Sequence, residues 1–172
     1  MKNTAAVSNK STERHHLLRP ILLAVIALLA VGGMVVSSYL AYGNIGEESL
    51  FCEFGHGCDT VQASEYSVVL GVPVAVWGGL LYLAVLTTAV VGISRTSRLR
   101  EQASLALFGM SLAGTLYSGY LAWLELYRIE AVCMWCTISA IIVSAILIAS
   151  AVNLAFGVKR TSKDYIRRGS EQ

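Results

Sequence analysis

Residues 133–156 read CMWCTISAIIVSAILIASAVNLAF, twenty-four positions without a charged side chain, opened by a Cys-x-x-Cys motif. About twenty helical residues cross the hydrocarbon core of a bilayer, so this stretch has the length of one membrane span carrying two thiols at one end. Working outward, three further uncharged runs of similar length lie at Pro20–Tyr42, Pro73–Ile93 and Ala103–Leu124. Of the 172 residues, 55% are hydrophobic and 14% charged, and the mean hydropathy is +0.62. Soluble domains carry about 25% charged residues, so the composition excludes both a disordered chain and an ordinary soluble domain. A net charge of +2 gives no broad basic face, which argues against nucleic acid as a partner. Lipid tolerates no unsatisfied backbone, and no alternating ten-residue segments of barrel type occur, so the runs are helices. The expected fold is an all-α integral membrane four-helix bundle. The first run is much longer than the apolar core of a signal peptide, about 7–15 residues, and reads as a retained helix.

Orientation follows from the basic residues. Lys2, Lys10, Arg14 and Arg19 precede the first span, Arg95, Arg98 and Arg100 separate the second from the third, and Lys159, Arg160, Lys163, Arg167 and Arg168 follow the fourth. Twelve of thirteen Lys and Arg residues thus share one side, with Arg128 opposite. The positive-inside rule places both termini in the cytoplasm. The chain divides into a cytoplasmic tail (1–19), a four-span domain (20–157) with an outer loop at about 43–72, and a basic cytoplasmic tail (158–172). The basic tail reads as a topology anchor and contact for anionic lipid. His15 and His16 lie in the inner tail, remote from other ligand types, and do not suggest a metal site.

All four cysteines fall on the outer side: Cys52 and Cys58 in the first outer loop, Cys133 and Cys136 at the outer end of the fourth span. That is the face on which disulfides form and persist. Cys133 and Cys136 are one helical turn apart, with β-carbons about 5–6 Å apart in an ideal helix. A relaxed disulfide needs about 3.8 Å, so a bond here distorts the first turn and is easily reduced. The positive end of the helix dipole favours a thiolate at Cys133. Between Cys52 and Cys58, Gly55 and Gly57 permit turns that bring the ends within disulfide reach. On that segment alone a permanent disulfide and a redox-active one are equally compatible; the second pair on the same side favours the redox use. Zinc competes for four cysteines, with His56 as a substitute ligand. The five-residue gap in the first pair and an oxidising compartment argue against it, and no metal is expected.

The ordered set Cys52-x5-Cys58, Ser64-Glu-Tyr66-Ser67, Gly71-Val-Pro73, Trp77-Gly78-Gly-Leu-Leu-Tyr82 and Cys133-Met-Trp-Cys136 on four spans resembles the vitamin K epoxide reductase family. The resemblance runs from about Pro20 to Phe156. The DsbB family also combines four helices, four outer cysteines and a quinone, but places its C-x-x-C in the first outer loop, the reverse of the order here. The chain looks like the bacterial branch of the former family, which does the work of DsbB.

The resemblance implies a relay in a bacterial inner membrane, with the active site on the periplasmic face. Cys52 would form the mixed disulfide with a thioredoxin-like, DsbA-type partner, Cys58 would attack Cys133, and Cys136 would face a quinone, ubiquinone or menaquinone. Many relatives carry the thioredoxin-like domain fused at the C-terminus; about fifteen residues follow the fourth span here, so a separate partner is expected. A quinone suits the energetics, since DsbA lies at about −120 mV, beyond reoxidation by glutathione. The candidate quinone contacts are Ser64, Tyr66, Trp77, Tyr82, Met134 and Trp135; for Trp77 and Tyr82, anchoring at the membrane interface is an equal alternative. The animal enzymes hold the vitamin K headgroup with an Asn and a Tyr, whose places are taken here by Val74 and Ala140. Neither can make such a side-chain bond, which favours simple quinone reduction over epoxide reduction. One rival reading is a four-span scaffold with static disulfides. Another, an electron relay to a cytoplasmic thiol, lacks cysteines in or below the spans. Topology reporters fused to either terminus should read cytoplasm; an external N-terminus would reverse the compartment of all four cysteines.

Overall fold

In hydrocarbon a backbone finds its hydrogen-bond partners within its own segment, and the four apolar runs do so as helices. The computed structural model describes the backbone of residues 2–46, 57–93 and 97–169, and the side chains of residues 18–44, 57–93 and 99–155. Helix α1 (Lys2–Gly46) is followed by a short helix α2 (Gly57–Gln62) and a 3-10 turn (Glu65–Ser67). A two-stranded hairpin, β1 (Val68–Val69) with β2 (Val72–Pro73), leads into α3 (Val74–Gly92). Helix α4 (Ser97–Leu124) ends in a π-helical turn (Glu125–Ile129), and α5 (Met134–Gly169) completes the chain. Four segments are long and apolar enough to cross a membrane: Leu18–Asn44, Val74–Gly92, Leu99–Ile129 and Met134–Ala155. The protein is a multi-pass membrane protein with an all-α bundle.

Three of these spans end within a few residues of the limits read from the sequence. The third runs on past Leu124, because the helix continues through the π turn instead of stopping at the charge of Glu125. Glu130 then ends it in a left-handed conformation (φ 55°), its N–H bonded to the Glu125 carbonyl. The hairpin between α2 and α3 was not foreseen. Its tip has positive φ at both Leu70 (55°) and Gly71 (79°), the geometry of a tight primed turn, for which glycine is suited at the second position.

The spans pack in a closed ring, α1 on α3, α3 on α4, α4 on α5 and α5 on α1. Leu23, Ile26 and Ala30 of α1 meet Tyr82, Val85 and Ala89 of α3, Leu107 of α4, and Val143 and Ile146 of α5. The spacing of three then four residues on α1 and α3 is that of one helix face. The opposite faces are equally apolar and exposed, as at Leu28, Leu116 and Ile148, which is what a lipid-facing surface requires. Two buried hydroxyls inside the spans are satisfied one turn back, Ser111 on the Leu107 carbonyl (2.7 Å) and Ser150 on that of Ile146 (2.6 Å). The same two hydroxyls meet each other across α4 and α5 at 3.0 Å.

Small residues set the closest approaches. A Cβ at Gly33 of α1 would overlap the ring of Tyr82, whereas one at Gly32 would meet nothing within 4 Å. Tyr82 has no room to yield, since its hydroxyl is held 2.9 Å from the Ser139 carbonyl and side chain. Gly33→Ala should therefore destabilise the purified protein by about 1–3 kcal/mol through overpacking, while Gly32→Ala leaves thermal stability unchanged or slightly raised.

Candidate functional site

The cysteine-bearing end of the bundle is built around Cys133. This residue immediately precedes α5, and its backbone carbonyl accepts the first helical bond, from Thr137 N–H at 3.0 Å. Its sulfur accepts the N–H of Cys136 at 3.3 Å. The thiol thus occupies the place of a capping oxygen, whose task is to satisfy an N–H of the first turn. Cys133 and Cys136 are both free thiols. The Cys136 thiol donates to the Cys133 sulfur, and this bond, with the backbone N–H groups of Cys136 and Trp135, holds Cys133 below the usual thiol range. Burial and the charge of Glu125 oppose the shift without cancelling it. The thiolate tendency expected from the helix end is thus carried chiefly by a specific thiol bond.

The two sulfurs have different neighbours. Cys133 is fully buried in a cluster with Val36, Leu40 and Cys58, itself fully buried. Cys58 is disulfide-bonded. Cys136 packs at the margin of this cluster and also lines a cavity of about 380 Å³ between the helices. Cys52, assigned the first step of the relay, lies outside the described residues, as do Gly55 and His56.

Gly57 is what lets α2 reach this position. A Cβ there would overlap the backbone carbonyl of Val132, so the first residue of α2 lies directly against the strand of chain that ends in Cys133. The sequence suggested this glycine for turning; in the structure it serves close approach. Gln62 secures the other end of α2, its side-chain amide donating to the Leu40 carbonyl (3.4 Å) and its oxygen accepting from Asn44 (2.9 Å).

The cavity is walled mainly by apolar groups, among them Leu81, Ala113, Leu121 and Val143, with a few hydroxyls. Its size and character are those of small-molecule sites, typically about 300–1,000 Å³ and mostly apolar, and suit an aromatic ring with polar substituents. Of the six residues suggested for such a ligand, Ser64, Tyr66, Trp77 and Tyr82 line it. Met134 and Trp135 are not among its lining residues; Trp135 packs against Tyr39 instead, ring centroids 4.9 Å apart. Three of the four have other duties. The Ser64 hydroxyl donates to the Val61 carbonyl at 2.6 Å, the Trp77 indole N–H donates to the Val69 carbonyl at 3.5 Å, and Tyr82 is bound to Ser139. Val74 and Ala140 also line the cavity, both without a polar side chain.

One residue of the site was missed. Glu125 is 7% exposed, lines the cavity, and accepts the Cys133 N–H on its carboxylate at 3.2 Å. It also interacts with the Cys136 thiol. The sequence signal was there, an acid at the end of an apolar run eight residues before the C-x-x-C. Its burial depends on the π turn, which periodicity does not reveal. Such turns inside helices occur often at functional sites.

A membrane bundle that brings a disulfide-bonded cysteine against a thiol pair, and opens one thiol of that pair to a cavity, defines a membrane protein of cysteine-based redox type. The model of the vitamin K epoxide reductase family matches residues 24–151, and the chain belongs to that family. It is also similar to the thiol-disulfide oxidoreductase LTO1 of Arabidopsis thaliana, 30% identical over 117 residues. That match covers 62% of this chain and 30% of the plant protein, so the chain corresponds to less than a third of that relative's length.

Because the approach of α2 rests on a missing side chain, Gly57→Ala should push Cys58 away from Cys133. In a background carrying both Cys52→Ser and Cys136→Ser, where no further thiol of the chain can resolve a Cys58–Cys133 bond once formed, the yield of that bond under oxidation should fall several-fold. Non-reducing mass spectrometry of the peptides would read it.

Proposed function

We propose that this protein reoxidises a thioredoxin-like, DsbA-type dithiol partner on the outer side of a bacterial inner membrane and passes the electrons to a membrane quinone. The observation that carries the reading is the division of labour within the C-x-x-C pair: Cys133 is buried with Cys58, and Cys136 lines the cavity. Family membership and the likeness to a thiol-disulfide oxidoreductase support the reaction class. The distribution of basic residues supports the sidedness.

The steps follow from the sulfur chemistry. The partner's thiolate attacks Cys52 in a Cys52–Cys58 disulfide, and the partner's second thiol releases itself as a disulfide, leaving two thiols in the loop. The Cys58 thiolate then attacks Cys133 of a Cys133–Cys136 disulfide, and closure of Cys52 onto Cys58 leaves the helix pair reduced. Cys58 bonded with Cys133 and Cys136 free is consistent with such a state. A quinone in the cavity supplies an acceptor for two electrons and two protons. Cys136, which lines the cavity, would give up its electrons there, and Cys133, held toward the thiolate, would supply the second sulfur of the S–S bond that closes. Two S–H bonds would break and one S–S bond form, with two electrons and two protons passing to the acceptor. With Val74 and Ala140 in the cavity wall, no side chain at those places holds an epoxide, which favours simple quinone reduction.

With purified protein and a reduced DsbA-type dithiol, quinone absorbance should fall during turnover, and Cys136→Ser should abolish the loss. No change with either ubiquinone or menaquinone, in protein of verified fold, would replace the reading with a scaffold of static disulfides.

A further inference from the structure

Burying a carboxylate costs several kcal/mol unless its partners repay it, and ionisable groups inside membrane segments are commonly functional. Glu125 meets no cation among the described residues; it accepts the Cys133 N–H and interacts with the Cys136 thiol. A helix cap alone would need only the first of these. The carboxylate also lines the cavity with Cys136, so it borders the space where that sulfur's electrons would be delivered.

From this geometry we infer that Glu125 is a catalytic residue, the group that takes the proton from the Cys136 thiol when that sulfur reacts and delivers it into the cavity. The inference deepens the proposed function and, for the second half of the transfer, rests on it. In the first half the Cys136 S–H bond breaks, its proton moves to a Glu125 carboxylate oxygen, and the electron pair stays on sulfur. In the second half the proton leaves the carboxyl for an oxygen of the bound quinone, and Glu125 returns to its ionised form. One of the two protons of hydroquinone is thereby accounted for.

The surroundings offer few competitors for this proton. Asp59 lies on α2, which packs against the π turn, and Cys58 beside it is bonded and does not titrate. Across the cavity stand the phenols of Tyr66, Tyr82 and Tyr117. On Glu125's own turn Arg128 and Glu130 are exposed. Bonded to the Cys133 N–H and lining the same cavity as Cys136, Glu125 has the position that a proton acceptor requires.

The test uses the whole chain, reduced, in detergent, without any quinone: the rate at which iodoacetamide alkylates Cys136, read by mass spectrometry against pH. Glu125→Gln keeps an oxygen to accept the Cys133 N–H, so a cap is preserved while the base is lost. The expected result is a fall in the Cys136 rate of roughly 100-fold at neutral pH, the low end of what a positioned base contributes. The wild-type profile should fall on acidification as the carboxyl takes up a proton, a limb that E125Q lacks. A carboxylate acting only as a negative charge would predict the opposite sign, because its removal makes the thiolate easier to form. An unchanged or faster Cys136 rate in E125Q therefore overturns the inference. Should E125Q fail to fold, Glu125→Ala provides the second arm: added formate should restore the rate in proportion to its concentration, and no restoration counts against the proposal. Because neither arm contains quinone, a wild-type chain unable to reduce quinone would refute the proposed function while leaving this readout intact.

Discussion

The site depends on one contact, the backbone of Gly57 against the carbonyl of Val132. A thiol–disulfide exchange needs two sulfurs within bonding distance, and here they belong to segments more than seventy residues apart in sequence. The bundle alone does not bring them together, because Cys58 is not on a spanning helix. It is the absence of a side chain at the first position of α2 that lets six residues of helix settle on the start of α5. Gln62, tied to Leu40 and Asn44 at the top of α1, keeps the other end from lifting. The burial of Cys58 and Cys133 in one apolar cluster follows from that seating.

The start of α5 solves several problems with few groups. The first N–H groups of a helix lack internal partners, and in this position neither lipid nor water serves them well. The Cys133 sulfur takes the N–H of Cys136, and Glu125 takes that of Cys133. Each acceptor is also a group to which the proposed chemistry gives a role. On that reading the protein satisfies the backbone with the atoms that carry the chemistry, and the site is held in register by bonds that any helix start would need. This also explains why the third span must overrun its apolar limit, since the π turn is what returns Glu125 to the bundle.

Much of the fold could be read from the sequence because lipid imposes a length. Four uncharged runs of suitable size specify four helices, and the bundle followed. The cysteines of the last span were legible for the same reason, spacing and position being enough to place both at one helix end. What stayed hidden involved local geometry that hydrophobicity does not encode. The hairpin at Val68–Pro73 is two residues per strand, too short for any periodic signal. Glu125 looked like the first polar residue beyond a span, and only the π turn buries it. Met134 and Trp135 sit between the two cysteines, yet a helix sends consecutive side chains in different directions. Trp135 meets Tyr39, and neither residue lines the cavity.

The opposite end of the bundle is fastened differently. Arg19 of α1 donates to the Ser104 hydroxyl (3.0 Å) and the Arg100 carbonyl of α4, and Asn153 of α5 donates to the same Ser104 (3.2 Å). Three helices thus meet at one hydroxyl, with the Ser111–Ser150 pair two turns further along joining α4 to α5 again. Sliding or rotating any one of these helices would break several polar bonds in a medium that offers no replacements. The cysteine end is joined instead by the apolar cluster around Cys58 and Cys133, the close approach at Gly57, and the bond from the Cys133 N–H to Glu125. The molecule is therefore riveted like tongs at the pivot, with the groups that the proposed function needs gathered at the far tips.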